Sequence, residues 1–376
     1  MTSENQFLLP NGVDIADLPK ISLHDHLDGA LRPQTILELA NAVGIDVPET
    51  DPAKLGDWFL SQCDAGNLVD YLKTFDLTTA VMQTEEGLTR VAREFVKDLV
   101  ADGVIYGEVR WAPEQHLTRG LTLDQAVEAV QAGIEQGIDD AERSGDSIQV
   151  GQLITAMRHA DRGLEIAELA VRHRTNGVVG FDIAGAEAGF PASRHRVAFD
   201  YLAQEHFPVT VHAGEADGLD SIKSALFDGR ALRLGHGVRI AEDITVERSD
   251  DEGTYVSLGE TAQWVKDREI PLELSPSSNL QTGAIAAWGS DLVDHPFDVL
   301  YQLGFKTTVN VDNRTMSGTT LTRELGLLAD AFSYDIDDLE VFQQNAARGA
   351  FLPLEDREEL AEIISAGFED AERYRD

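Results

Sequence analysis

The chain of 376 residues has one cysteine, Cys63. Internal disulfides are thereby excluded, as is a thiolate-rich zinc cage, so any metal must be held by His, Asp or Glu. Positive charge is also scarce: 30 Lys and Arg stand against 67 Asp and Glu, a formal charge of −37. Nucleic acid and anionic membranes need a positive footprint, which argues against both as partners. A polyanionic substrate is mildly disfavoured, because the field repels it on approach. The acidic surface is read as a solvated face that aids solubility, with a high-salt setting as a further reading. No apolar run approaches membrane-spanning length, and Met1 to Lys20 lacks a basic-then-apolar leader. The expectation is a soluble, cytoplasmic protein with no membrane partner. Repeats, low-complexity tracts and Pro/Gly-rich linkers are absent too, so residues 1–376 are read as a single domain. Apolar residues make up 43% of the chain, enough for a sizeable core.

What the chain does have is an alternation of short β-rich runs and helical stretches. Candidate strands are Ile21–Leu23, Val104–Arg110, Val150–Thr155, Val178–Asp182, Val209–His212, Leu232–His236, Pro271–Leu274 and Thr307–Val311. Several are near-continuous apolar runs, as in strands buried on both faces of a parallel sheet. Between them, Leu88, Val91, Ala92, Phe95 and Leu99 repeat at helical spacing, with Gly103 as a stop. Thr122 with Gln125 predicts a capping box before a helix over 126–138, and Pro33 and Gly44 bracket another over 34–43. Eight strands alternating with helices favour an α/β fold, a (β/α)8 TIM barrel, in which chemistry gathers at the C-terminal strand ends. Extra helices are expected between the first two strands and at the C-terminus, where helices after Asp335 close the barrel. The apolar insertion from Asp46 to Thr84 has two readings, a lid over a ligand or a helical pair on the barrel wall. The acidic run Glu242 to Glu252 is read as a solvated loop.

Polar residues stand at strand ends. The first strand runs into His24-Asp25-His26-Leu27-Asp28-Gly29, and two histidines spaced i, i+2 project from one face of a strand. They make half of a metal site. The fifth strand ends in His212-Ala213-Gly214-Glu215, the sixth in Gly235-His236-Gly237, and the eighth in Asp312-Asn313. His24, His26, His212 and Asp312 together offer three imidazoles and a carboxylate, a set suited to one zinc ion with room for a water.

These motifs, with Asp182-Ile183-Ala184-Gly185 and Ser275-Pro276-Ser277-Ser278-Asn279, resemble the adenosine deaminase family in content and order. The resemblance runs from about residue 20 to about residue 320. It implies a barrel of the metal-dependent amidohydrolase type and hydrolytic removal of the purine 6-amino group. The implied cofactor is one zinc ion, which makes hydroxide available at neutral pH for attack on C6. His236 would orient the water and hold or take its proton, assisted by Asp312, and Glu215 would protonate ring N1 from a carboxyl of raised pKa. The N–H of Gly185 would meet a purine nitrogen, and Asp28 would bind the ribose end. Asn313 departs from the family, which usually has a second aspartate there; an amide can still donate to purine N7.

Two further absences bear on this resemblance. No lysine occurs from Asp98 to Ile222, so the bridging lysine of two-metal relatives is missing and the site reads as mononuclear. One cysteine also excludes the other zinc-deaminase class, which needs a Pro-Cys-x-x-Cys motif. The expected partners are a purine nucleoside (adenosine or 2'-deoxyadenosine) and water. The alternatives are adenine, a methylated AMP or an aminodeoxyfutalosine-like nucleoside, and, from another class, a non-catalytic nucleoside-binding barrel. His159, His195, His206 and His295 are read as structural or surface residues. Arg110 is expected to pair with a carboxylate in the barrel, and Glu187 is read as a rim charge.

Overall fold

The structure, a computed structural model, describes residues 7–250 and 253–373. Among the described residues ten strands are present: β1 (Lys20–His26), β2 (Val104–Trp111), β3 (Gln149–Met157), β4 (Val178–Ala184), β5 (Thr210–Ala213), β6 (Arg233–His236), β7 (Ile244–Asp250), β8 (Gly253–Leu258), β9 (Leu272–Leu274) and β10 (Thr307–Val309). Eight of them are parallel and form two four-stranded sheets, β1-β2-β3-β4 and β5-β6-β9-β10. Parallel bridges join the sheets at both edges, Phe181 with Val209 and Asp25 with Asp312. There the N–H of Phe181 donates to Pro208 O at 3.0 Å and the N–H of His26 to Asp312 O at 2.8 Å. The eight strands thus run in a ring, with helices between them. The candidate strands coincide with all eight, and their burial on both faces explains their continuous apolar sequence.

The helices begin and end where the local chemistry directs. Thr122 and Gln125 form a reciprocal capping box at the start of the helix Leu123–Ser144. Pro33 opens Pro33–Val43, which ends on left-handed Gly44 (φ 76°). The helix Ile336–Gly349 lies under the barrel, where Gln343 Oε1 accepts the N–H of Ile21 at 2.7 Å. The helix Leu354–Arg373 follows it.

The run Glu242 to Glu252 corrects its reading as a loop. Its residues 244–250 form β7, which pairs antiparallel with β8 in an exposed hairpin; Asp251 and Glu252 lie outside the described residues, as do Met1 to Gln6 of the N-terminal segment. Only Ile244 and Val246 of β7 are apolar and the strand is almost wholly exposed, so the period-2 apolar signal of a half-buried strand is too short to be read. The insertion between β1 and β2 folds into the helices Pro52–Cys63, Leu68–Leu72 and Phe75–Val81.

Candidate active site

The C-terminal strand ends open into a cavity of about 950 Å³ whose lining includes His26, Asp28, Gly185, His212, Glu215, His236, Asp312 and Asn313. Leu68, Tyr71, Leu72 and Phe75 of the insertion line it as well, so that segment supplies part of the cavity wall. His159, expected to be structural or on the surface, lines this cavity too.

Four strand ends bring the metal-ligand candidates together. His26 Nε2 lies 3.1 Å from His212 Nε2 and 3.3 Å from Asp312 Oδ1, and His24 Nε2 lies 3.2 Å from Asp312 Oδ1. Atoms about 2.0–2.1 Å from one tetrahedral zinc stand about 3.4 Å from one another, so these separations suit such an ion. Second-layer partners leave the right nitrogens free. His24 Nδ1 is 2.9 Å from Glu273 Oε2, and His212 Nδ1 is 2.8 Å from Asp182 Oδ2, so each ring keeps its Nε2 lone pair for the centre. His24 Nε2 is buried with no hydrogen-bond partner. His236 also approaches, in a group with His24, His212 and Asp312 whose potential ligand atoms all lie within 4.8 Å. Its two nitrogens are engaged elsewhere, however: Nδ1 is 3.0 Å from Asn279 Nδ2, and Nε2 faces Glu215 Oε2 at 3.5 Å. The donor set therefore fits a metal through His24, His26, His212 and Asp312, with His236 beside it.

The backbone at two of these positions is strained. His236 (φ 61°) and Asp312 (φ 59°) adopt the left-handed region, at an expected cost of about 1–3 kcal/mol each. Neither is glycine because both side chains are needed inside the ring.

Electrostatics separate the two groups flanking the cavity floor. Burial, reinforced by the charges of Asp312 and Glu187, raises the Glu215 carboxyl well above the ordinary glutamate range. Burial lowers His236 well below the ordinary histidine value, although Asp312 opposes it. Burial thus favours the protonated form of the acid and the neutral form of the imidazole it faces. Asp28 is pushed up to about 7, chiefly by burial. Asn313 is buried, and its Oδ1 abuts Gly29, where an added Cβ would come within 2.0 Å of it.

Several supporting residues went unnoticed in the sequence. Glu187, read as a rim charge, is only 3% exposed. Its Oε1 accepts from Gly214 N (2.6 Å) and Ser221 Oγ (2.5 Å), and its Oε2 from Glu215, Ala216 and Asp217 N (3.0, 2.6 and 3.0 Å). The loop that carries Glu215 is thus gathered on one carboxylate. Buried Arg158 ties the end of β5 just before that loop to the segment that follows Glu187, donating to His212 O at 2.5 Å and to Phe190 O at 2.9 Å. Glu273 accepts from Arg110 at 2.7 Å and from Arg233 at 2.6 Å as well as facing His24. Arg110 also pairs with Asp182 at 3.0 Å, as its expected role required. An acid within the buried run 271–274 was the available signal for Glu273; nothing local marked Arg158.

A family model described as adenosine deaminase matches residues 19–366. Adenosine deaminase 1 of Streptomyces coelicolor is 53% identical over 361 residues, covering 96% of this chain and 89% of that one. The adenosine deaminase of Mycobacteroides abscessus is 49% identical over 358 residues, 95% of this chain and 97% of that one. Among solved structures, the N6-mAMP deaminase of Arabidopsis superposes with a TM-score of 0.77 at 26% identity, covering 94% and 99% of the two chains.

Proposed function

The chain belongs to the adenosine deaminase family, and from that premise we propose that it hydrolyses adenosine and 2'-deoxyadenosine to inosine and deoxyinosine, releasing ammonia, with the whole chain acting as one catalytic domain. The observation that carries this reading is Glu215 Oε2 facing His236 Nε2 at 3.5 Å in the cavity beside a buried His/Asp cluster, with burial raising the carboxyl and lowering the imidazole. The family is metal-dependent, and we assign the metal as one zinc ion held by His24, His26, His212 and Asp312. When bound, zinc supplies Lewis acidity that makes hydroxide available near neutral pH.

The protein groups do the rest. His236 and Asp312 orient the attacking water and manage its proton as the oxygen adds to C6. Glu215 gives its proton to ring N1, so no negative charge accumulates on the purine; the proton taken from the water then passes to the amino group, which leaves as ammonia, while the remaining C6 hydroxyl proton returns to Glu215 as the carbonyl forms. Gly185, left-handed at φ 103°, presents its N–H to the purine without a side chain in the way. Asn313 donates to N7, and Asp28 takes the ribose end. The acidic surface favours an uncharged nucleoside over a nucleotide. A cytoplasmic setting accords with this reading; among the described residues no helix is long and apolar enough to cross a membrane.

The test is a substrate panel. Zinc-loaded protein is incubated with adenosine, 2'-deoxyadenosine, adenine and N6-methyl-AMP while the ultraviolet spectrum and ammonia are followed. Adenosine and deoxyadenosine should turn over with the highest kcat/KM; no loss of adenosine overturns the reading.

A further inference from the structure

His295 lies outside the cavity and 59 residues beyond His236 in sequence, yet a chain of hydrogen bonds connects the two. It begins at a group whose role is fixed. The backbone N–H of Phe297 can only donate, and it does so to His295 Nδ1 at 3.0 Å. Nδ1 is therefore the bare nitrogen of neutral His295, which must carry its proton on Nε2. That nitrogen lies 3.2 Å from Asn279 Oδ1, a pure acceptor, so the amide is held with its Nδ2 directed the other way. Asn279 Nδ2 in turn is 3.0 Å from His236 Nδ1. An amide nitrogen only donates, so Nδ1 of His236 must accept and its ring proton must sit on Nε2. Each step leaves one arrangement.

We propose that Asn279 and His295 are positioning residues that fix His236 in the Nε2–H tautomer, so that in the deamination proposed above His236 donates a hydrogen bond into the cavity and does not take the water's proton. The geometry supports this twice more. His236 Nε2 is the nitrogen that faces the cavity, 3.5 Å from Glu215 Oε2, and Asn279 and His295 are both fully buried, where solvent cannot supply a substitute partner. Burial also pushes His295 down to about 3, which keeps the relay neutral across the working range. Of the two groups that manage the water, His236 is then the donor to the oxygen. Asp312 is the acceptor: the water's O–H proton passes to its carboxylate as the C6–O bond forms. Asp312 Oδ2 is already steadied by Ser278 Oγ at 2.6 Å.

The inference rests on the proposed deamination, and its test separates the two. Full-length zinc-loaded protein is labelled with ¹⁵N-histidine, and the His236 resonances are identified by their loss in His236→Gln. Wild type should show a protonated Nε2 and a bare Nδ1 on that ring. Asn279→Asp replaces the donor facing His236 by an acceptor of the same shape. It should move the proton to Nδ1 and lower kcat by about 100-fold or more, as the loss of one transition-state donor does, with KM for adenosine within about threefold. A wild-type ring protonated on Nδ1 overturns the inference. So does an Asn279→Asp enzyme that keeps its kcat, or one whose loss lies in KM alone. If Asn279→Asp does not fold, His295→Phe decides: kcat should fall several-fold and the tautomer become mixed, and an unchanged kcat with a pure Nε2–H ring overturns the relay. Wild type that leaves adenosine untouched would defeat the functional reading, while the ¹⁵N measurement would still settle the tautomer.

Discussion

At the scale of single residues, Glu215 gives the plainest expectation. Its proposed role as an acid needs a proton, and burial beside other negative charge raises its pKa in favour of holding one. As pH rises through its raised pKa the carboxyl ionises and the donor is lost, so kcat/KM should fall on the alkaline side. Glu215→Gln cannot give a proton to N1, and kcat should drop by about 10²–10⁴ while adenosine still binds and the metal content stays unchanged. A variant that turns over at the wild-type rate would remove Glu215 from the chemistry. Asn313 is testable through its neighbour. Gly29 leaves the space that the Asn313 side chain occupies, and a methyl group there would meet Oδ1 at 2.0 Å. Gly29→Ala should therefore push the amide off the purine and raise the adenosine KM by about two- to tenfold, the worth of one hydrogen bond. The same change should matter little for 7-deazaadenosine, which has no N7 acceptor to lose. Equal penalties on both substrates would show that Asn313 does not contact N7.

At the scale of elements, the ring of eight strands was legible because each strand is buried on both faces and so is written as an apolar run bounded by turn residues. Most of the proposed site was legible for a related reason: polar groups at the ends of Ile21–Leu23, Val209–His212 and Thr307–Val311 have no place in a barrel that needs only stability. The supporting layer was not legible, because its partners are far apart in sequence. Glu187 and the 214–217 amides meet only after β4 and β5 pair through the Phe181–Val209 bridge, and no periodicity announces that. The hairpin β7–β8 was missed for the opposite reason, since it buries almost nothing. The loop clamp makes its own prediction. Glu187→Gln puts an amide NH₂ among five donors, at least one of which must go unsatisfied, at about 1–3 kcal/mol each. The Glu215 loop should shift, and a displacement near 1 Å costs about 10²-fold. We expect that loss in kcat, with zinc stoichiometry and its affinity in chelator competition nearly unchanged. Loss of zinc in step with activity would instead make Glu187 a scaffold for His212.

At the scale of the whole molecule, the charge of −37 sets two energies against each other. Surface ion pairs stabilise the fold; Arg93, Lys97 and Arg143 all converge on Asp140, for example. Exposed pairs contribute only about 0–1 kcal/mol each, and there are only 30 basic residues to make them. The uncompensated acids repel one another, more in the compact state than in the expanded chain. Salt weakens both effects, since the screening length falls from about 30 Å at 0.01 M to about 3 Å at 1 M. Repulsion acts over longer distances than contact pairs, so screening should relieve more than it removes. Tm should therefore rise by a few degrees between about 0.01 M and 0.5 M KCl, the size expected of about 1–2 kcal/mol in a chain this long, and equally in NaCl. A falling Tm would mean that the ion pairs outweigh the repulsion. The same titration bears on substrate choice. Adenosine is uncharged, so its kcat/KM should be nearly flat with salt, whereas an anionic 6-aminopurine nucleotide is repelled on approach and should gain as the field is screened. A nucleotide preferred at every ionic strength would show that local contacts in the cavity override the field of the whole surface.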